Sequence, residues 1–165
     1  LPARMHSEYL RRLYLHNDLA EGRYPFNGAP LRLDAIELPL HVVATERDHV
    51  SPWESVYKVH ALVRAPVTFL LSSGGHNVGI VNPPDGPSAH PKASFRSASH
   101  LPGQAPPDPQ RWIDLAHVHA GSWWPAWSAW LDQHSGGGQV VPPTVRPILH
   151  EGQPLRAPGS YVHQQ

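Results

Sequence analysis

The sequence predicts an α/β fold in which two short parallel strands each feed a loop carrying one polar functional group. Three observations lead there. Residues 38–44 and 67–71 are brief apolar runs rich in β-branched and aliphatic side chains, the composition of strands covered on both faces. Between them, Ser51-Pro52-Trp53-Glu54 has the form of a helix start, so strand, helix and strand follow one another within about thirty residues, as in a βαβ unit. Each apolar run is followed by a polar loop, Thr45-Glu46-Arg47-Asp48-His49-Val50-Ser51 after the first and Ser72-Ser73-Gly74-Gly75-His76-Asn77 after the second.

Residues 5–19 are expected to be helical. Met5, Tyr9, Leu10, Leu13, Tyr14 and Leu19 recur near the i, i+3, i+4 spacing, and Arg11, Arg12 and Asp18 fall off that stripe. Gly22, Pro25, Gly28 and Pro30 then break the chain. Asp34 is expected to cap a single turn through Ile36, and strand 38–44 follows. In the next helix the Ser51 hydroxyl would accept from the Glu54 N–H and the Glu54 carboxylate would reach back to the Ser51 N–H, with Pro52 at the first helical position. This helix runs to about residue 63 and buries Tyr57, Val59, Leu62 and Val63; Pro66 marks its exit. After strand 67–71, Gly74-Gly75 allows a sharp turn. A βαβ connection makes the two strands parallel, and in such sheets the loops at the carboxyl ends carry the chemistry. Asp48 and His76 are thereby expected on one edge of the sheet.

Residues 82–108, rich in Pro, Ser, Ala and Gly, read as an extended surface loop with little regular structure. Asp108-Pro109 starts a short helix around 112–117. Ser122 caps a further helix, on one face of which Trp123, Trp124, Trp127 and Trp130 lie at i, i+1, i+4 and i+7; four Trp in eight residues point to a helix clamped across the back of the sheet rather than to a sugar or polymer platform. Gly136 and Gly138 end it. Pro142, Pro143, Pro147, Pro154 and Pro158 make the rest a tail.

Composition excludes several functions. The 165 residues fit one domain, and zero net charge without a basic run removes the footprint of a nucleic-acid binder. No apolar run approaches the ~20 residues of a membrane span, and Arg4, Glu8, Arg11 and Arg12 interrupt any secretory stretch. The chain starts at Leu1 rather than Met, as a cut-out or truncated product would. Cysteine is absent, and with it disulfides, thiolate metal sites and a cysteine nucleophile. The 13 histidines are scattered without a His-Glu-x-x-His pattern; His117 and His119 stand at strand spacing, and His60 and His100 have no spaced partners. Neither a metal site nor a cofactor is expected.

Asp48 before a helix could be only a turn former, and His76 only a loop histidine bonded to backbone. Taken together they have a stronger meaning. A carboxylate bonded to one imidazole nitrogen fixes the tautomer and supports the positive charge that forms when the other nitrogen takes a proton. His49 and Asn77 neighbour the pair and are candidates to line the site. An acid after one strand and a histidine after the next follow the chain order of an α/β-hydrolase triad, in which the nucleophile comes earlier. No serine supplies it: none lies in Gly-x-Ser-x-Gly, Ser72 and Ser73 are too near His76 in sequence, and Ser122 reads as a cap.

Asp48-His49-Val50-Ser51-Pro52-Trp53, Gly75-His76-Asn77-Val78-Gly79-Ile80-Val81-Asn82-Pro83-Pro84 and Gly121-Ser122-Trp123-Trp124-Pro125-Ala126-Trp127 together resemble the C-terminal part of poly(3-hydroxyalkanoate) synthases. The opening Tyr9-Leu10-Arg11-Arg12-Leu13-Tyr14-Leu15-His16-Asn17-Asp18-Leu19 is similar to the segment leading out of their cap region. The resemblance covers nearly the whole chain in order, and the Gly-Ile-Val-Asn-Pro-Pro run looks most like synthases for short-chain monomers.

The resemblance implies the C-terminal portion of an α/β-hydrolase fold, its last parallel strands and flanking helices, incomplete as a domain. Residues 1–22 would end the cap region, 23–135 belong to the catalytic domain and 136–165 form a Gly/Pro-rich tail. In that family a cysteine attacks the thioester of (R)-3-hydroxyacyl-CoA, CoA leaves, and the acyl group passes to the hydroxyl end of a growing polyester. His76 would be the base that activates the cysteine and Asp48 its acid partner. The chain departs from the family pattern in having no Cys and no Gly-x-Cys-x-Gly. Acyl-CoA, the polyester chain and a second copy in a homodimer are the implied partners; cytoplasm and polymer-granule surface are the implied location. The alternatives are a non-catalytic piece that binds the synthase or the granule, and part of another α/β-hydrolase, an esterase or depolymerase. With so little of a sheet of its own, the chain in isolation is expected to be poorly folded or to aggregate.

Overall fold

The computed structural model describes residues 1–136, 138, 149–155, 157–159 and 162. Most of the expected tail, including Pro142, Pro143 and Pro147, lies outside the described residues. Around one four-stranded sheet, in the order β3-β4-β5-β6, helices pack on both faces. Strands β3 (Leu40–Arg47) and β4 (Val67–Gly75) are parallel, with Leu40 opposite Val67 and Thr45 opposite Ser72. Both are longer at their carboxyl ends than the apolar runs alone indicated.

The βαβ crossover is built differently from its expected form. Helix α2 (Trp53–Tyr57) and helix α3 (Val59–Leu62) replace one continuous helix. At the break, the His60 ring Nδ1 lies 2.9 Å from the Tyr57 carbonyl and takes the place of a backbone donor. The Ser51–Glu54 capping box does not form. Pro52 is itself the residue flanking the helix, with extended ψ, and the Ser51 N–H is already donated to Asp48. Tyr57 is buried, and Val59, Leu62 and Val63 are half-buried.

Residues 82–108 are the main correction. They contain β5 (Ser94–His100), an interior strand antiparallel to β4 with Phe69 opposite Ala98 and Ser72 opposite Phe95. Its Ser-x-Arg-Ser-Ala-Ser composition lacks the apolar run that marks a buried strand. It is held by ladder hydrogen bonds on both edges, with Phe95 as its one buried side chain. After α4 (Pro109–Leu115) comes β6 (His117–Ala120), antiparallel to β5, so His117 and His119 lie on a strand and not in a helix. Asp108 caps α4 as predicted: its carboxylate accepts from the Arg111 N–H at 3.0 Å, and Pro109 opens the helix. Such a cap contributes about 1 kcal/mol.

Strand periodicity assigns the two faces. Val67, Phe69 and Leu71 of β4 with Ala44 of β3 pack under α2 and α4 against Trp53, Tyr57, Trp112 and Ala116. Phe69 is enclosed by rings, 5.1 Å from both Tyr57 and Trp112 and edge-on to each. The Tyr57 hydroxyl donates to the Pro107 carbonyl at 2.9 Å; burial, helped by the nearby Asp108 charge, pushes its ionisation up to about 12. On the opposite face, Leu70 and Phe95 pack against Trp123, with Val43, Trp124 and Ala126 around them, at the start of α5 (Trp124–His134). Helix α5 does lie across the sheet, but its Trp residues are not one buried stripe: Trp123 is buried, Trp124 and Trp130 are half-buried and Trp127 is 42% exposed.

The N-terminal segment is helical from Ala3 to Leu15, as α1 (Ala3–Tyr9) followed by a wider π turn over Leu10–Leu15, and it stops short of Leu19. None of its residues is buried: of the apolar stripe, Leu13 is half-buried and Met5, Tyr9, Leu10 and Tyr14 are exposed. Asp18 anchors its end between Arg12 and Arg23, each 3.4 Å away. Residues 24–31 form a hairpin, β1 (Tyr24–Phe26) with β2 (Ala29–Leu31), that the Gly and Pro breaks concealed. Its turn residues Asn27 and Gly28 both have positive φ, as a two-residue hairpin turn requires. A 3-10 turn over Leu33–Ala35 follows, where Asp34 pairs with Arg32 instead of capping. Short strands β7 (Leu149–His150) and β8 (Gln153–Pro154) pair further on. Among the described residues no helix is long and apolar enough to cross a membrane.

No described strand pairs with the outer edge of β3, and Leu38 beside it is 77% exposed, as are the Tyr14 and Leu15 side chains for the most part. An open edge bordered by apolar side chains favours strand-to-strand association. The isolated chain is therefore expected to self-associate with rising concentration in analytical ultracentrifugation. A monodisperse monomer with a sharp, reversible thermal transition would refute this.

Candidate active site

The parallel register brings the ends of β3 and β4 side by side, and the loop after each delivers one residue of the site. Asp48 follows β3. Its Oδ1 accepts the backbone N–H groups of Val50 at 2.8 Å and Ser51 at 2.9 Å, an Asx-type turn that organises the entry to α2. Its Oδ2 lies 2.9 Å from His76 Nδ1, and the Thr45 hydroxyl donates to the same oxygen at 3.4 Å. The acid is both the turn former and the partner of the histidine, one oxygen for each task.

This environment decides protonation. The Ser51 N–H first, then His76 and the Val50 N–H, hold the Asp48 carboxyl down to about 2, against the opposing effect of burial. An ionised carboxylate can only accept, so His76 Nδ1 must be the donor. In the neutral ring Nε2 is then a free base. Only 8% of the Asp48 side chain is exposed against 47% of that of His76, so the acid is sheltered behind the imidazole while the ring faces outward.

A tight turn holds His76. The Gly79 N–H donates to the Gly75 carbonyl at 2.9 Å, and the N–H groups of Ile80 and Val81 both donate to the Asn77 carbonyl. Gly74 sits at φ +116°, and a Cβ there would stand 3.0 Å from the Gly79 backbone. A Cβ on Gly79 would overlap the side chain of Thr45, which is buried in β3. The missing side chain at Gly79 thus lets the loop after β4 press onto β3, and the one at Gly74 lets the loop fold closely on itself. The Gly79 carbonyl in turn accepts from the buried Ser72 hydroxyl at 2.7 Å and from the Trp123 indole at 3.0 Å.

Of the four residues expected at the site, Asp48 and His76 are in direct contact. His49 and Asn77 are exposed, and among the described residues neither side chain hydrogen bonds to the pair. The three serines weighed from the sequence are each engaged in hydrogen bonds. Ser72 is committed to Gly79, Ser73 accepts from the Ser94 N–H at 3.0 Å, and Ser122 donates to the Asn82 carbonyl while accepting from the Trp124 N–H at 3.1 Å. Ser122 is not the helix cap expected from sequence: Trp123 holds that position without a side-chain cap bond, and Ser122 stands one residue before it. Among the described residues, no three histidine or acidic side chains stand together as a metal site. A cleft of about 500 Å³ between α5 and the sheet is lined by His41, Thr68, Ser97, Trp130 and others, and includes neither Asp48 nor His76. A smaller one of about 210 Å³ lies behind the histidine loop, between Arg47, Lys92, His90 and the buried Asn82.

Sequence reasoning missed Thr45, Ser72, Gly79 and Trp123 as parts of the site. Thr45 and Ser72 sit at the polar ends of apolar runs and occupy paired positions in the β3–β4 register, a signal visible only once the register is known. The Trp123 contact joins residues 44 positions apart.

No protein-family model matches the chain. It is 34% identical over 165 residues to the poly(3-hydroxyalkanoate) polymerase subunit PhaC of Cupriavidus necator, covering 98% of this chain and 26% of that protein. It is 36% identical over 166 residues to the corresponding subunit of Rhizobium meliloti, covering 98% of this chain and 25% of that one. It is 34% identical to the poly(3-hydroxyalkanoate) polymerase of Methylorubrum extorquens, covering 100% of this chain and 26% of that protein. The chain thus spans about a quarter of the length of the relatives it matches.

Asp48 also predicts an acid limb. Its carboxyl ionises at about 2 in the folded chain against an ordinary 3.8, so the folded state gains from ionisation. That stabilisation is complete above pH about 4 and is lost as pH falls through about 2. Thermal unfolding of Asp48→Asn should be flatter than that of the parent chain across this window. Parallel slopes would contradict the assignment.

Proposed function

We propose that this chain, a relative of poly(3-hydroxyalkanoate) polymerases over nearly all of its length, supplies the acid–base part of such an enzyme's active site, its role being to make a cysteine held elsewhere in the complete polymerase into a nucleophile. The single observation that carries this is the 2.9 Å hydrogen bond from His76 Nδ1 to an ionised Asp48, with Nε2 left as an outward-facing base. The likeness to the polymerases supports the choice of chemistry, and the serines nearest His76 in sequence, Ser72 and Ser73, are engaged in hydrogen bonds to backbone groups.

In the first half-reaction, His76 Nε2 takes the thiol proton, and the thiolate attacks the carbonyl of the (R)-3-hydroxyacyl thioester. The C–S bond to CoA breaks and the leaving thiolate takes the proton back from Nε2. In the second, Nε2 accepts the proton of a 3-hydroxyl group, whose oxygen attacks the acyl–cysteine carbonyl; an ester forms and the cysteine leaves, reprotonated from the imidazolium. Asp48 stays ionised throughout, holding the ring in one tautomer and stabilising its positive charge twice per cycle. His49 and Asn77, on the loops beside the pair, are proposed to line the entry for the acyl group. The complete enzyme would work in the cytoplasm at the surface of the polymer.

Turnover by the complete cysteine-bearing polymerase tests this. His76→Ala and Asp48→Asn should each lower kcat by about 10²–10⁴ with little change in KM, the usual range for loss of a positioned proton carrier. CoA release at the parental rate in either variant would overturn the proposal. An upstream serine in place of the cysteine would instead point to an esterase or depolymerase, with the same pair as its base.

A further inference from the structure

The histidine of the pair is anchored less directly than the acid. Asp48 is held by two backbone N–H groups of its own loop. His76 is exposed, and among the described residues the one hydrogen bond of its ring is to Asp48; its place depends on where the turn after β4 lies. Three successive residues at the start of α5 grip that turn. The Ser122 hydroxyl donates to the Asn82 carbonyl, the Trp123 indole donates to the Gly79 carbonyl at 3.0 Å, and the Trp124 indole donates to the Ile80 carbonyl at 2.9 Å. The Trp123 bond is the buried one, made where Gly79 closes the turn around His76 by its N–H···Gly75 bond. Trp123 is also wedged against Leu70 and Phe95, so its ring is fixed by the sheet and its N–H direction is fixed with it.

We propose that Trp123 is a positioning residue for His76: through the Gly79 carbonyl it sets the distance between the imidazole and Asp48 without touching either. Packing alone would require only the bulk of the ring. The hydrogen bond adds direction, and a phenyl ring in its place leaves a buried carbonyl with Ser72 as its one remaining donor. A displacement near 1 Å in the turn is enough to break the Asp48–His76 bond. The consequence for turnover rests on the function proposed above; the geometric role does not.

Two readouts separate these. In the complete polymerase, Trp123→Phe is expected to lower kcat on the order of 10–100-fold with KM unchanged, as for a small misplacement of a catalytic group. If Trp123 acts through the pair, Trp123→Phe combined with Asp48→Asn is no slower than Asp48→Asn alone. Gln133→Ala, on the same helix, exposed and without a described bond to the turn, keeps the parental kcat. In parallel, the rate at which diethyl pyrocarbonate modifies His76, followed by mass spectrometry of its peptide, should change in the same direction in Trp123→Phe as in Asp48→Asn, with no further change in the double variant. A parental modification rate in Trp123→Phe, or effects that multiply in the double variant, overturns the positioning role. Full turnover by Asp48→Asn would overturn the function proposed above, and the modification rates would still decide the role of Trp123.

Discussion

The parallel ladder between β3 and β4 is the constraint on which the rest depends. Pairing Leu40 with Val67 and Thr45 with Ser72 puts both carboxyl ends level, and two loops distant in sequence open at one edge. The ladder is fixed by burial on both faces. Val67, Phe69 and Leu71 point to one layer and Leu70 to the other, and all four are almost wholly removed from water. At about 1.5–3 kcal/mol for each large side chain, these burials make any slip in register costly, because a shift of one residue would exchange the two faces. The 2.9 Å contact between Asp48 and His76 is a consequence of that register.

Close approach does the finer adjustment. The histidine loop rests on β3 at Gly79, with Thr45 filling the space beneath, and closes on itself at Gly74. Thr45 and Ser72, the polar residues that end the apolar runs, are buried yet satisfied, one donating toward Asp48 and the other to the Gly79 carbonyl. Polar side chains at these places convert the end of a hydrophobic ladder into a support for charged groups. The same logic bears on the missing capping box of α2: the Ser51 N–H, one of the two donors such a box would use, is already given to the Asp48 carboxylate.

Cover is uneven across the molecule. The ring cluster of Trp53, Tyr57, Phe69 and Trp112 seals one face of the sheet. The other is sealed only where Trp123 and Trp124 meet Leu70 and Phe95, and farther along α5 the helix stands off over the wide cleft that includes His41 and Trp130. The N-terminal helix and the outer edge of β3 carry exposed apolar groups.

Much of the site was legible in the sequence. The parallel pair, the acid and histidine loops, the Asp108 cap and the helical character of α5 follow from local rules of apolar runs, capping residues and turn chemistry, each acting over a few residues. Strand β5 was not legible, since Ser94–His100 has no apolar pattern and becomes a strand because β4 and β6 offer ladder partners on both sides. The grip of Trp123 on Gly79 was equally hidden, and so was the split of the crossover helix at Lys58. By itself the sequence determined which residues could act as acid and base and which element each would follow. Tertiary structure alone decided how far apart they stand, because that distance is set by hydrogen bonds and backbone contacts between segments that no local pattern connects.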